Sequence, residues 1–310
     1  MLGESLLKKI REYLPEEQIF PNQSLKDMTT FRAGGGCSCL LEIDTEEQLC
    51  QLLRLFGRTE TPYFILGNGS NTLVKDAGYS GIVLHIDRSM DAITVEGNIL
   101  TAEAGAMLSK ASRVAAEHGL TGLEFAAGIP GSVGGGVVMN AGAYDGEMKD
   151  VVKSVRVVGK DGEILELRGS AMEFGYRTSV LRNRPFVVTS VTFELKPGNP
   201  EEILGKMEDF NRRRREKQPL EYPSAGSTFK RPEGHFAGQL IMEAGMRGFQ
   251  IGGARVSDKH CGFIINAGGA SAADILDVMG EVQDRVYSCF GVRLEPEIVV
   301  LGDPDREVSR

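Results

Sequence analysis

Apolar positions recur along this chain with two periods, and the switches between them mark its elements. Residues 1–20 read as an amphipathic helix or a lightly attached leader. From Thr29 to about His85 strand and helix patterns alternate: strand over Leu40 to Ile43, helix over Glu46 to Phe56, strands over Tyr63 to Leu66 and Ile82 to Ile86. That predicts a small α/β unit. From about 92 to 196 strands dominate. Ile93 to Val95 and Ile99 to Ala102 flank Gly97-Asn98, and Val155 to Val158 and Ile164 to Leu167 flank Asp161-Gly162, two hairpin signals. Between them Leu108, Ala111, Ala115 and His118 share one helical face, ended by Gly119. Phe186 to Leu195 alternates as a half-buried strand.

Lys196 to Pro200 reads as a linker. Beyond it come a helix near 201–217, a loop-rich stretch to about 260, a strand over Gly262 to Asn266, a helix, and a final strand over Val292 to Leu301. Ser271 and Asp274 form a capping pattern for that helix, and Ile275, Val278, Val282 and Val286 are its buried stripe. The expected organisation is α+β: an N-terminal helix or leader (1–20), a small α/β part (21–88), an α+β part (89–198) and a C-terminal α+β domain (199–310).

Composition narrows the function classes. The formal net charge of −8 argues against nucleic acid and anionic membranes as partners. The basic run Arg212 to Arg215, with Leu204, Met207 and Phe210 on an apolar side, reads as a solvated helix face. Five cysteines with no C-x-x-C pair predict neither a disulfide framework nor a zinc site and suit a reducing compartment. The histidines lack the spacing of a helical metal site, and no metal is expected. Neither a signal-peptide core nor a run of ~20 apolar residues is present, so a soluble, cytoplasmic protein without membrane insertion is expected, as a monomer.

Glycine changes the picture most, at 39 of 310 residues. No strand leads into G-x-G-x-x-G, no P-loop occurs, no serine sits in G-x-S-x-G, and His260-Cys261 are neighbours that point apart. The glycines must serve another ligand. Gly67-Asn68-Gly69-Ser70-Asn71 follows a strand directly, a pattern that leaves backbone N–H groups free for a pyrophosphate. Gly128-Ile129-Pro130-Gly131-Ser132-Val133-Gly134-Gly135-Gly136, followed by Asn140-Ala141-Gly142, is costly to order for packing alone. Two such loops about 60 residues apart predict one extended, diphosphate-containing cofactor.

Both segments resemble the FAD-binding domain of the vanillyl-alcohol-oxidase type. Adding Thr29 to Gly35, Gly175 to Ser179, Gly226 to Pro232 and Leu294 to Ile298, in that order, the chain resembles the UDP-N-acetylenolpyruvoylglucosamine reductases. The resemblance implies a two-part FAD-binding region and a C-terminal substrate domain. It also implies FAD contacts at Gly67, Asn68, Gly69, Ser70, Asn71, Gly128, Ile129, Pro130, Gly131, Ser132, Gly134, Asn140, Ala141 and Gly142. NADPH is the implied hydride-donating co-substrate, and UDP-N-acetylglucosamine enolpyruvate the nucleotide-sugar substrate, reduced for peptidoglycan synthesis and so for cell shape and division. Within the family Arg177 holds developing charge, Ser227 donates a proton, and Glu297 orients the substrate or relays a proton. Tyr176, Lys230 and Arg231 match substrate-binding positions, and the chain resembles the shorter family type, without an inserted lid loop. Two other readings remain: a flavin oxidase or dehydrogenase of the same fold acting on an alcohol or sugar, and a non-catalytic nucleotide-sugar binding protein.

Overall fold

Parallel strands buried on both faces need apolar residues at successive positions, and the first sheet shows that pattern. The computed structural model describes residues 3–303; Met1, Leu2 and residues 304–310, the outer ends of the expected leader and C-terminal domain, lie outside the described residues. Helix α1 (Glu4–Ile10) leads into β1 (Ile19–Pro21), β2 (Cys37–Glu42), α2 (Glu46–Thr59), β3 (Tyr63–Leu66), β4 (Thr72–Val74) and β5 (Tyr79–His85). The sheet order is β1-β2-β5-β3, with β2 and β3 parallel to β5. Leu41, Ile82 and Leu84 face the main core, while Leu40, Val83 and Leu66 face a smaller one behind the sheet. The start of the chain is packed: Ile10 and Leu14 are buried in the main core.

The next strands all pair antiparallel. They are β6 (Ile93–Glu96), β7 (Ile99–Glu103), then after α3 (Leu108–Glu117), β8 (Leu120–Thr121), α4 (Val133–Val138), β9 (Gly142–Ala143) and β10 (Gly146–Glu147), β11 (Val152–Val158), β12 (Ile164–Arg168), β13 (Val187–Glu194) and β14 (Lys196–Pro197). Five of them form one sheet, in the order β12-β11-β13-β7-β6, while β8 pairs with β14 and β9 with β10. Glu46, in the first turn of α2, pairs with Arg156 of β11 at 2.7 Å and accepts from Thr189 of β13, fastening the two sheets together. The expected linker is partly strand, because Lys196 and Pro197 pair with Thr121 and Leu120.

Helix α5 (Pro200–Lys217) begins at an Asn199 cap and is followed by α6 (Ala237–Glu243), β15 (Gln250–Ile251), β16 (Ala254–Val256), β17 (Ile264–Asn266), α7 (Ala272–Phe290) and β18 (Val299–Leu301). The Ser271–Asp274 capping box forms, and Ile275, Val278, Val282 and Val286 are fully buried. The core of this part also takes in Phe31, Ala33 and Leu73 from the beginning of the chain.

Two expectations need correction. Val292 to Leu301 is not one strand: only Val299–Leu301 is, parallel to β4, while upstream Glu297 N–H donates to Thr228 O and Lys230 N–H to Glu295 O. Pro296 lacks an N–H, so a continuous ladder cannot pass through it. The second glycine segment is not all loop either. Ser132 caps α4, whose first residues are Val133 and three glycines.

Candidate functional site

Between the end of β3 and the start of β4 the chain reverses through Gly67 to Asn71, and the backbone there is unsatisfied. Among the described residues, the N–H groups of Asn68, Gly69, Ser70 and Asn71 find no acceptor. Gly69 holds φ +61°, and a Cβ there would lie 2.0 Å from the Met28 carbonyl oxygen, so only glycine fits. Consecutive free N–H groups on a tight turn make an anion-binding concavity. The two glycine segments touch here: Asn68 Nδ2 donates to Pro130 O, and a Cβ on Gly67 would meet Ser132 Oγ at 2.6 Å.

The second segment works differently. Its N–H groups are largely consumed by the protein: Val133 donates to Ala106 O, Gly134 to Ala104 O, and Gly135 to the capping Ser132 Oγ. A Cβ on Gly134 would sit 2.9 Å from the Ala104 Cβ, and one on Gly136 2.9 Å from Leu108, so these two glycines let α4 dock against β7 and α3. Gly135 differs. Nothing closer than Ser132 Oγ at 3.4 Å opposes a Cβ there, and the residue faces a cavity.

That cavity, of about 600 Å³, is walled by Tyr63 and Ile65, by both glycine segments, and by Arg177, Ser227 and Glu297. It is lined by Gly67, Asn68, Gly69, Ser70, Asn71, Ile129, Pro130, Gly131, Ser132, Gly134, Ala141 and Gly142 among the expected cofactor contacts. Gly128 and Asn140 are not on its wall. Gly128 is covered by α5, where a Cβ would meet Asn211 Oδ1 at 2.7 Å. Asn140 is a correction: it is fully buried and its side chain is already engaged. It donates to Gly175 O and Glu147 Oε2 and accepts from Lys149 N–H, each at 2.9 Å. Its contact with Gly175 makes it an anchor for the Arg177 turn.

Gly175 and Thr178 pair across a tight turn with Tyr176 and Arg177 at its tip, and Arg177 takes φ +53° there. The guanidinium then reaches two fixed partners, Glu297 at 2.9 Å through Nε and Gly142 O at 3.0 Å through Nη2. Three of its five N–H groups remain for a ligand. The Arg177 and Glu297 side chains are only 20% and 16% exposed, so the pair sits in a largely dry site. Burial raises the Glu297 carboxyl above its ordinary value, against the downward pull of Arg177.

Ser227 reaches the same cavity from a neighbouring segment. Its successor Thr228 accepts from Glu297 N–H, and Phe229 bridges Pro296, so Ser227 and Glu297 stand on paired stretches of chain. The Ser227 hydroxyl is exposed and has no hydrogen-bond partner among the described residues. Asn71 ties this region back to the first glycine turn, donating through Nδ2 to Glu297 O and accepting from Val299 N–H. The strand pair β4–β18 therefore carries Glu297 to the nest.

Tyr176, Lys230 and Arg231 stand off the cavity and bind one another's neighbourhood. Tyr176 Oη accepts from Arg231 N–H, Lys230 pairs with Glu295 at 3.1 Å, and the Arg231 guanidinium stacks 3.9 Å over Phe236. Asn266 is structural, donating to Phe31 O and accepting from Gly268 and Ala270 N–H. His260 is half-buried against Phe263, and burial lowers its pKa. Two of the cavity residues that sequence reasoning missed matter most. Gly135 looked like its neighbours, and Arg214 was hidden within a basic run.

The residues present fit FAD: free backbone donors for a diphosphate, and a roomy cavity whose wall is largely apolar and also carries Arg177, Ser227 and Glu297. A family model for an FAD-binding domain matches residues 37–168, and one for the C-terminal domain of UDP-N-acetylenolpyruvoylglucosamine reductase matches residues 218–301. A UDP-N-acetylenolpyruvoylglucosamine reductase of Clostridium perfringens is 50% identical over 95% of this chain and 97% of its own. The crystal structure of the reductase from Thermus caldophilus superposes with a TM-score of 0.79 at 39% identity, covering 90% of this chain and 97% of that one. A grass pollen allergen with glucose dehydrogenase activity, Phl p 4, matches with a TM-score of 0.51 at 14% identity over 63% of this chain and 44% of its own, a likeness of fold alone.

Proposed function

Because this chain belongs to the UDP-N-acetylenolpyruvoylglucosamine reductase family and is an FAD-dependent oxidoreductase, we propose that it reduces UDP-N-acetylglucosamine enolpyruvate to UDP-N-acetylmuramate with NADPH as hydride donor. One observation carries the reading: Arg177, Glu297 and Ser227 line the same cavity as the two glycine segments, with Arg177 paired to Glu297. Bound FAD would supply the redox chemistry, accepting a hydride from NADPH and passing one to the enolpyruvyl double bond.

The chain's own groups handle the charge and the proton. Hydride addition leaves enolate character next to the substrate carboxylate. Arg177 meets that charge with its free N–H groups, while Glu297 and Gly142 O hold the fork in place. Ser227 Oγ is the proton donor, free to rotate because no hydrogen-bond partner holds it among the described residues. Glu297 is placed to orient the substrate or hold a proton in reserve, since burial keeps its pKa up. Tyr176, Lys230 and Arg231 form a substrate-side rim whose cations suit a diphosphate.

The five free thiols suit a reducing cytoplasm. No helix among the described residues is long and apolar enough to cross a membrane.

Anaerobic stopped-flow at the flavin absorbance tests the reading by separating the half-reactions. Ser227→Ala should leave flavin bleaching by NADPH near its normal rate and slow reoxidation by the enolpyruvyl substrate roughly 10²–10⁴-fold. Cysteine there should recover part of that loss. Equal slowing of both halves, or a reduced flavin indifferent to the enolpyruvyl compound, would overturn the assignment.

A further inference from the structure

Four consecutive basic residues, Arg212 to Arg215, end helix α5, and they do not share one fate. Arg212 pairs with Asp209 and Glu216, Arg213 pairs with Asp209, and Arg215 is exposed. Arg214 turns the other way. The buried positions of α5 are Ile203 and Met207, and the same face continues at helical spacing through Asn211 to Arg214. Leu204, expected on the apolar side, is 50% exposed instead. The chain thus places an arginine where its own stripe faces the rest of the molecule.

What Arg214 meets there is backbone, not a carboxylate. A Cβ on Gly128 would lie 3.1 Å from its Cδ and 3.6 Å from its Nη1. Among the described residues its guanidinium has neither an acidic partner nor a hydrogen bond, and burial lowers its pKa. It lines the cavity of about 600 Å³ and also an adjoining one of about 630 Å³, and Gly67, Asn68 and Pro130 lie on both walls with it. Tyr144 fixes the helix in this position, stacking on Phe210 with ring centroids 4.4 Å apart and donating to Phe210 O at 2.9 Å. A half-buried cation held rigidly without a counter-charge costs stability unless an anion completes it. The nearby donors without acceptors are the N–H groups of Asn68 to Asn71.

We propose that Arg214 is the counter-cation of the cofactor diphosphate, brought by α5 to the glycine turn at Gly67–Asn71, so that FAD binding itself fastens α5 to the first glycine segment. The inference rests on the FAD reading and adds a residue that no glycine motif contains. It makes the diphosphate site two-sided, with neutral N–H donors from the turn between β3 and β4 and a fixed charge from a helix more than 100 residues later.

Apoprotein of the full chain, stripped of flavin, tests this by fluorescence titration with FAD and with riboflavin, which lacks both phosphates. Arg214→Met should weaken FAD binding roughly 10–100-fold, the worth of a charged hydrogen bond, and leave riboflavin binding unchanged. Arg214→Lys should lose less. The Arg214→Met apoprotein should melt no lower than the wild-type apoprotein, because an uncompensated charge has been removed. Unchanged FAD affinity in Arg214→Met would overturn the proposal, and decisively so if the Michaelis constant for the nucleotide sugar rose instead. Equal losses for FAD and riboflavin would reduce Arg214 to a packing residue. Wild-type protein that takes up no FAD would sink the functional reading along with it, whereas wild-type uptake with an indifferent variant sinks this inference alone.

Discussion

Glu297 is pulled in two directions, by burial toward the neutral acid and by Arg177 toward the carboxylate, and burial wins. The sign of the consequence follows. The folded chain keeps its proton to a higher pH than the unfolded chain, whose glutamates titrate near 4.3. The stability that the neutral acid contributes is therefore present below that value and lost as pH rises through the higher folded value. Denaturant melts of wild-type and Glu297→Gln apoprotein from about pH 4 to about pH 7 should show wild type losing stability relative to the glutamine variant as pH rises. A flat or opposite trend would mean that Arg177 dominates. The thiols make a second case. Burial pushes Cys37 up to about 12 and Cys39 up to about 11, raises Cys50, and encloses Cys261, leaving Cys289 exposed. A thiol reagent at neutral pH should titrate one group per native chain, and all five cysteines only after unfolding. Rapid modification of two would show that a second thiol opens to solvent in the native chain. At this scale Arg177, Ser227 and Glu297 were singled out by the family resemblance and not by any local pattern, and the structure brings all three to the wall of one cavity. The sequence was not legible at Asn140, because a buried amide that anchors a turn carries the same letter as one that touches a flavin. Asn140→Ala should strand Lys149 N–H and leave Gly175 O with only the Thr178 N–H, costing about 1–3 kcal/mol and slowing reoxidation more than reduction by NADPH. Slowing confined to the NADPH step would remove it from the support of Arg177.

Helix α4 shows how elements can hide behind composition. Glycine is a poor helix former, so Gly134-Gly135-Gly136 predicts a loop, yet Ser132 caps a turn of helix there and Ala104 and Ala106 accept its first N–H groups. Helix propensity lost to close docking, and close docking is what glycine permits. The neighbouring glycines can therefore be told apart by experiment. Gly134→Ala puts a methyl 2.9 Å from Ala104, so the apoprotein should melt lower and lose FAD affinity as a result. Gly135→Ala meets no packed atom and replaces glycine by a better helix former. Its apoprotein should hold or gain up to about 1 kcal/mol while FAD affinity falls, because the methyl enters the cavity. Thermal melts with and without FAD separate the two, and equal behaviour would remove α4 from the cofactor wall. Elements with clean periodicity were legible: β3 and the stripe and cap of α7 appear where the pattern put them. The strand through Pro296 was not, since alternation of side chains says nothing about which N–H is missing.

The whole molecule is held together by chain that crosses between its parts, and no local pattern announces such crossings. Phe31 belongs by sequence to the first unit, yet it is fully buried in the core of the last, beside Ile264, Ile275 and Val282. Asn266 clasps the same place, donating to Phe31 O, and β18 returns to pair with β4. A Phe→Ala change in a core costs roughly 3–5 kcal/mol, through lost burial and the cavity left behind. If Phe31 worked for the unit that contains it, that cost would weaken the sheet of β1, β2, β5 and β3. The packing says otherwise, because those strands bury Leu40, Leu41, Val83 and Leu84 into two other clusters. Native-state hydrogen exchange on Phe31→Ala should therefore show amides of β16, β17 and α7 losing protection while those of β2 and β5 keep most of theirs. FAD affinity should fall less than the rate of flavin reoxidation, since Ser227 and Glu297 sit on the weakened side and the free N–H groups of Asn68 to Asn71 do not. Protection lost first in β2 and β5 would show that Phe31 serves its own unit, and the placement of the C-terminal core against residues 31–33 would have to be abandoned.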